Sequence, residues 1–233
     1  MRADTGLQAR RGDTLRPVAG ELDPQPGAPG DVPVGAVVLA GGGGARLGGA
    51  DKASIEVGGR TLLDHALAAL ADVDEVVVVG PEVPTSRPVT FTREDPAGGG
   101  PAAGLLAGVR RFARTPTWVV VLAVDMPLVS QDTVRRLIDA VRDDGAVLVD
   151  PSGRRQSLCA AYSLSALEAA ADDRAGHGLS MRELVTGLRL AEVASTAEET
   201  RDLDTWEDLV ALREALGPGG EGRAKDPDSR TDG

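Results

Sequence analysis

Cysteine occurs once in this chain, at Cys159. That excludes an intramolecular disulfide and fits a reducing compartment, so a cytoplasmic location is expected. Aromatic residues are almost as scarce, with two Trp, two Phe and one Tyr, which leaves Val, Leu and Ala to build the core. Cations are outnumbered, 25 Lys and Arg against 36 Asp and Glu, for a formal net charge of −11. This balance argues against nucleic-acid binding through a basic surface. No apolar run reaches the roughly 18 residues that a membrane span needs. The amino-terminal segment has arginines but no apolar h-region, so no secretory signal is expected. His65 and His177 have no partner His or Cys at metal spacing. With no Ser–His–Asp or Cys–His arrangement to argue, direct group transfer is favoured over covalent catalysis.

Residues 1–33 and 217–233 are rich in Pro, Gly and charged residues, without apolar periodicity. Neither end can bury enough apolar surface to offset its ordering entropy, so both are expected to be disordered. Residues 34–216 then form a single domain. Within it, strand and helix signals alternate. Buried-type apolar runs predict strands over 34–40, 75–79, 89–92, 118–124 and 146–149. Helical spacing predicts helices over 61–70, 102–112 and 131–142, the last capped by Ser130. Beyond residue 155 the pattern loosens to a strand over 157–162, expected to be antiparallel at an edge. Short helices over 166–171 and 181–186, a strand over 190–193 and a closing helix over 208–216 follow. The fold class is α/β, a Rossmann-like, mostly parallel sheet with helices on both faces. In such sheets ligands bind at the carboxyl ends of the strands.

The first of those ends is the most informative stretch. Leu39-Ala40 leads into Gly41-Gly42-Gly43-Gly44, then Arg46, Gly48-Gly49 and Lys52. Glycines let backbone N–H groups approach a polyphosphate closely, and two spaced cations can neutralise it. The P-loop pattern fails, because Gly49 stands where Lys is required, and the dinucleotide fingerprint fails as well. A flexible linker is the competing reading, against which stand the buried-type strand directly before it and the two cations. Asp125, at the end of the strongest strand, suits Mg²⁺, which takes one or two carboxylates and completes its shell with water and phosphates. The alternative is an Asp capping a turn before Pro127. Asp95 offers the same choice before Pro96. Asp202 and Asp204, two apart, could complete a metal or substrate site, or could belong to the cap of the last helix.

Together these segments resemble one family. Leu39-Ala40-Gly41-Gly42, Arg46-Leu47-Gly48 and Asp51-Lys52 are similar to the opening signature of the MobA-like nucleotidyltransferases, which have a glycosyltransferase-A-type fold. Asp95 with Gly99-Gly100-Pro101 and Gly104, then Val124-Asp125-Met126-Pro127, then Asp202-Leu203-Asp204-Thr205, match later segments in order. The chain departs in having Gly80 where some relatives place Asn, Gln156-Ser157 for His-Pro, and Trp206 for Pro. The double glycine Gly41-Gly42 looks like the guanylyl-transferring branch. The resemblance implies transfer of GMP from GTP to the molybdenum–molybdopterin cofactor, with Mg²⁺ and release of pyrophosphate. Carried over, Leu39, Ala40, Gly41, Gly42, Lys52, Asp95 and Asp125 would bind the nucleotide, and Asp125 the metal. Arg46, Lys52 and Asp125 would be catalytic, and Asp202 and Asp204 would lie near the pterin phosphate. Proteins that insert or accept the cofactor are implied as partners. A cytidylyl or other nucleotidyltransferase, or a nucleotide-binding domain without catalysis, are the alternatives.

Overall fold

The computed structural model describes residues 32–41, 51–94, 98–172, 179–203 and 205–216. Its strands are β1 (Val34–Leu39), β2 (Glu56–Val57), β3 (Arg60–Thr61), β4 (Glu75–Val79), β5 (Thr90–Thr92), β6 (Trp118–Ala123), β7 (Gly145–Val149), β8 (Arg155–Ser163) and β9 (Leu190–Ala194). Its helices are α1 (Leu62–Ala69), α2 (Gly100–Val109), α3 (Gln131–Ala140), α4 (Leu164–Asp172), α5 (Met181–Leu184) and α6 (Trp206–Leu216).

Parallel pairing joins β5, β4, β1 and β6 in that order, and β8 pairs antiparallel with β6. β7 and β9 form a parallel pair. The chain turns from β7 directly back into β8, and the Ser163 N–H donates to the Asp144 carbonyl across the two strands. Seven strands therefore make the mostly parallel sheet. The expected antiparallel strand exists, but it is not at an edge: β6 lies on one flank and β7 on the other. A turn fixed by Asp150 returns the chain beside β7, a placement that strand periodicity does not encode. β2 and β3 form a separate small hairpin around Gly58 and Gly59.

Side-chain alternation along the strands splits the core into two layers. Ala36 and Val38 of β1 face Leu62, Leu63 and Leu67 of α1, Leu137 of α3 and Leu209 of α6. Val37 and Leu39 face the other way, towards Leu105 of α2, Leu167 of α4 and Leu184 of α5. Caps fix where the helices begin. The Thr61 hydroxyl accepts from the Asp64 N–H at α1, and Ser130 and Thr133 form a reciprocal capping box at α3. Three helices on each face leave the carboxyl ends of β1, β4 and β6 open. No helix among the described residues is long and apolar enough to cross a membrane.

Candidate functional site

At that open end, β1 runs into Leu39, Ala40 and Gly41. The Ala40 and Gly41 N–H groups both donate to the Val79 carbonyl at 2.9 Å. The Gly41 amide is thus engaged by the sheet, while the residue itself lines the cleft at this end. Gly42, Arg46, Asp95 and Asp204 lie outside the described residues. Lys52 opens a single 3-10 turn, Lys52–Ser54, whose N-cap is Asp51; that carboxylate accepts from Ala53 N–H and Ser54 Oγ. Asp51 is therefore structural. Ala53 is fully buried and anchors the turn. Lys52 Nζ reaches Asp125 Oδ2 at 2.9 Å, with side chains 15% and 24% exposed. The two sequence-predicted charges, 73 residues apart, form one partly buried ion pair.

Asp125 follows β6, where the Val124 N–H donates to the Leu39 carbonyl and the Leu203 N–H donates to the Asp125 carbonyl. The second bond ties the segment carrying Asp202 to the end of β6. Glu199 holds the same segment from the other side: it accepts from Thr133 Oγ1 and Thr196 N–H and pairs with Arg136. Burial works to raise the Glu199 pKa, but these hydrogen bonds and the Arg136 charge outweigh it and hold the carboxyl below its usual value. The cap of α6 is made by Thr205 and Asp208, which bond reciprocally. Asp202 thus lies outside that pair and lines the cleft.

Two clefts meet at Asp125. The nucleotide-side cleft, about 550 Å³, is bounded by Leu39, Gly41, Lys52, Glu94, Gly104 and Asp125. The second, about 700 Å³, runs past Asp125 and Asp202 to Arg154, Gln156 and Arg182. Ala123, Asp125 and Leu158 line both. Glu94 is a residue that sequence reasoning passed over for its neighbour Asp95. Its Oε1 accepts from the Gly98 N–H at 3.1 Å, and Oε2 lies close beside Gly41 and Gly104. Arg154 and Arg182 were passed over too.

The donor set suits Mg²⁺. Asp125 and Asp202 offer hard carboxylate oxygens on one cleft wall, and substrate phosphates can complete the shell. Among the described residues no cluster of three or more His, Cys, Asp or Glu side chains is preformed, so the protein alone does not supply a full shell there. The remaining singled-out side chains sit elsewhere. His65 Nε2 lies 3.0 Å from the Val57 carbonyl, a structural contact. Cys159, on β8, is buried, and that burial pushes its thiol up to about 12. His177 lies outside the described residues.

A glycine-floored cleft, a lysine–aspartate pair at its end and a second cleft beyond define a nucleotidyltransferase-type α/β protein. The chain belongs to the family described as the MobA-like NTP transferase domain, whose model matches residues 36–191. A molybdenum cofactor guanylyltransferase from Cupriavidus taiwanensis is 31% identical over 188 residues, covering 75% of this chain and 94% of that protein. Another, from Acidiphilium cryptum, is 33% identical over 188 residues, covering 76% and 92%. Among solved structures, the molybdopterin-guanine dinucleotide biosynthesis protein A of Archaeoglobus fulgidus superposes with a TM-score of 0.54 at 22% identity, covering 78% of this chain and 98% of that one. The structural likeness shows the shared fold.

Proposed function

We propose that this protein transfers GMP from GTP to molybdenum-loaded molybdopterin, forming the guanine dinucleotide cofactor and releasing pyrophosphate. The observation that carries the reading is Asp125 on the wall shared by two clefts. That is where a donor and an acceptor must meet for in-line transfer. The name borne by the two curated relatives described above supports the choice of substrates.

An oxygen of the acceptor phosphate forms the new bond to the α-phosphorus. The bond from the α-phosphorus to its bridging oxygen breaks, and the electron pair leaves with pyrophosphate. The protein has little covalent work to do; it positions the reactants and spreads charge. Lys52 donates to phosphate oxygens at the junction, and its fixed 3-10 turn limits the reorganisation this requires. Leu39 and Val79 close the nucleotide-side cleft against water. Mg²⁺, held by Asp125 with Asp202 as the further oxygen donor, would supply neutralisation of phosphate charge. Arg46 is assigned to the departing pyrophosphate from the sequence pattern.

Glu94 favours guanine. An ionised carboxylate only accepts hydrogen bonds, so in a nucleotide cleft it must meet donors. Guanine offers N1–H and the adjacent N2 amino group, two neighbouring donors, whereas cytosine offers a single amino group beside an acceptor nitrogen.

The test is pyrophosphate release by the purified protein with Mg²⁺ and molybdenum-loaded molybdopterin, comparing GTP, CTP and ATP. Release with GTP in preference is expected. Release with CTP alone would overturn the base assignment, and release with none of the three would overturn the reaction.

A further inference from the structure

The second cleft has an unusual charge for this molecule. The chain carries 36 acidic against 25 basic side chains, yet Arg154, Arg155 and Arg182 gather along one cleft, facing Asp125 and Asp202. Arg155 is paired with Glu192 at 2.9 Å, so its charge is already countered. Arg154 and Arg182 have no carboxylate partner among the described residues. Both side chains are exposed, and their guanidinium groups on the lining of one cleft leave it open to an anion.

Both arginines stand on backbone that is already fixed. Asp150 Oδ1 accepts from Ser152 N–H at 2.9 Å, Ser152 Oγ at 2.6 Å and Arg154 N–H at 3.0 Å. Its Oδ2 accepts from Gln156 Nε2 at 3.1 Å, and Gly153 takes the turn at a φ of 85°. One carboxylate thus holds the whole turn from β7 to β8. Because Leu122 of β6 pairs with Cys159, residues 153–156 project past the end of β6, on the side where Asp125 lies. Arg182 sits on α5, whose start is locked by the reciprocal box of Ser180 and Glu183. Met181 and Leu184 are buried on either side of it. Ordering entropy that a ligand would otherwise have to supply is already spent in folding.

We propose that Arg154 and Arg182 clamp a phosphate group of the acceptor. This rests on the reading of the second cleft as the acceptor's. Guanidinium forks match phosphate oxygens two at a time, which an ammonium group cannot do. A phosphomonoester is largely dianionic at neutral pH, its second pKa being about 6. The cleft volume of about 700 Å³ lies within the usual range for a small-molecule site.

The experiment has two arms. In the first, Arg154→Ala, Arg182→Ala and the double variant are assayed for pyrophosphate release while GTP and acceptor are varied separately. The acceptor KM should rise at least tenfold in each single variant, with the GTP KM unchanged within twofold and partial recovery in Arg182→Lys. An unchanged acceptor KM, or a parallel rise of both KM values, overturns the clamp. In the second, inorganic phosphate is titrated into full-length protein saturated with GTP and Mg²⁺, and the melting temperature is followed. Phosphate should raise it in the unmodified protein and not in the double variant. No rise in the unmodified protein, or an equal rise in both, overturns the clamp. If the unmodified protein releases no pyrophosphate with molybdopterin, the proposed function fails, and the phosphate titration still decides the clamp.

Discussion

Lys52 and Asp125 neutralise each other at 2.9 Å, so the site can hold a lysine beside a carboxylate with little net charge before any ligand arrives. Lys52→Ala removes the cation that would face the phosphates. A loss of about 3 kcal/mol of transition-state stabilisation, roughly a hundredfold in kcat, is expected. Turnover within a few-fold of the unmodified protein would remove Lys52 from the mechanism. Glu94→Gln keeps the volume and replaces one acceptor oxygen by a donor. GTP turnover should fall about tenfold while xanthosine triphosphate, which carries an oxygen in place of the N2 amino group, gains relative to GTP. The ratio of the two turnover numbers measures it. The Cys159 thiol, raised to about 12 by burial, is protonated throughout the neutral range. One thiol equivalent should therefore react with a disulfide reagent at pH 8 only after unfolding. At this scale the sequence revealed Lys52 and Asp125 because each sits at a strand end or beside a glycine loop, local features that survive without coordinates. Glu94 was hidden because periodicity does not tell which side chain at a strand end turns into a cleft. Arg182 was hidden because only tertiary packing brings α5 to the cleft.

Among the elements, the β7–β8 unit is the most tightly constrained. Gly145 has a φ of 145°, and a Cβ there would lie 2.1 Å from the Ala161 carbonyl oxygen. Gly145→Ala must therefore displace β7 from β8, and a loss of about 3 kcal/mol or more is expected in denaturant titration. The turn that follows is held by Asp150, whose pKa lies below its usual value because the Ser152 hydroxyl and the Arg154 N–H bond to the ionised form. A depressed pKa in the folded state means stabilisation that is present above the unfolded value, near 3.9, and lost as pH falls through the folded one. The protection factors of the Ser152 and Arg154 amides, which correct for the intrinsic pH dependence of exchange, should accordingly stay level from pH 8 to about 5 and fall only under more acidic conditions. Up to β7, the sheet strands β1, β4, β5, β6 and β7 and the helices α1 to α3 were legible from periodicity and caps, whereas the β2–β3 hairpin was not. The flanked position of β8 was not, since antiparallel return beside β7 depends on a side-chain-fixed turn.

Among the described residues the molecule is a seven-stranded layer with three helices on each face, and its composition suits that plan. Val, Leu and Ala fill both layers, and small side chains allow close helix-to-sheet approach, as where Gly108 of α2 meets Val37 of β1. A chain reduced to residues 34–216 contains the entire stretch matched by the family model, residues 36–191. It should keep its cooperative melting and its pyrophosphate release; loss of either would assign a catalytic or folding role to the ends. The overall class was legible because βαβ alternation survives in a single sequence. The separation into two clefts was not, because it arises where the return strand β8 places Leu158 opposite the end of β6.

That shared wall makes the two binding events thermodynamically linked. A ligand that engaged Asp125 from either cleft would act on its pairing with Lys52 and so change the free energy of filling the other. Linkage is reciprocal: whatever factor GTP imposes on acceptor affinity, the acceptor imposes on GTP affinity. With GTP and acceptor bound as proposed, the protein would act as a coincidence detector for the two, with Asp125 as the contact common to both clefts.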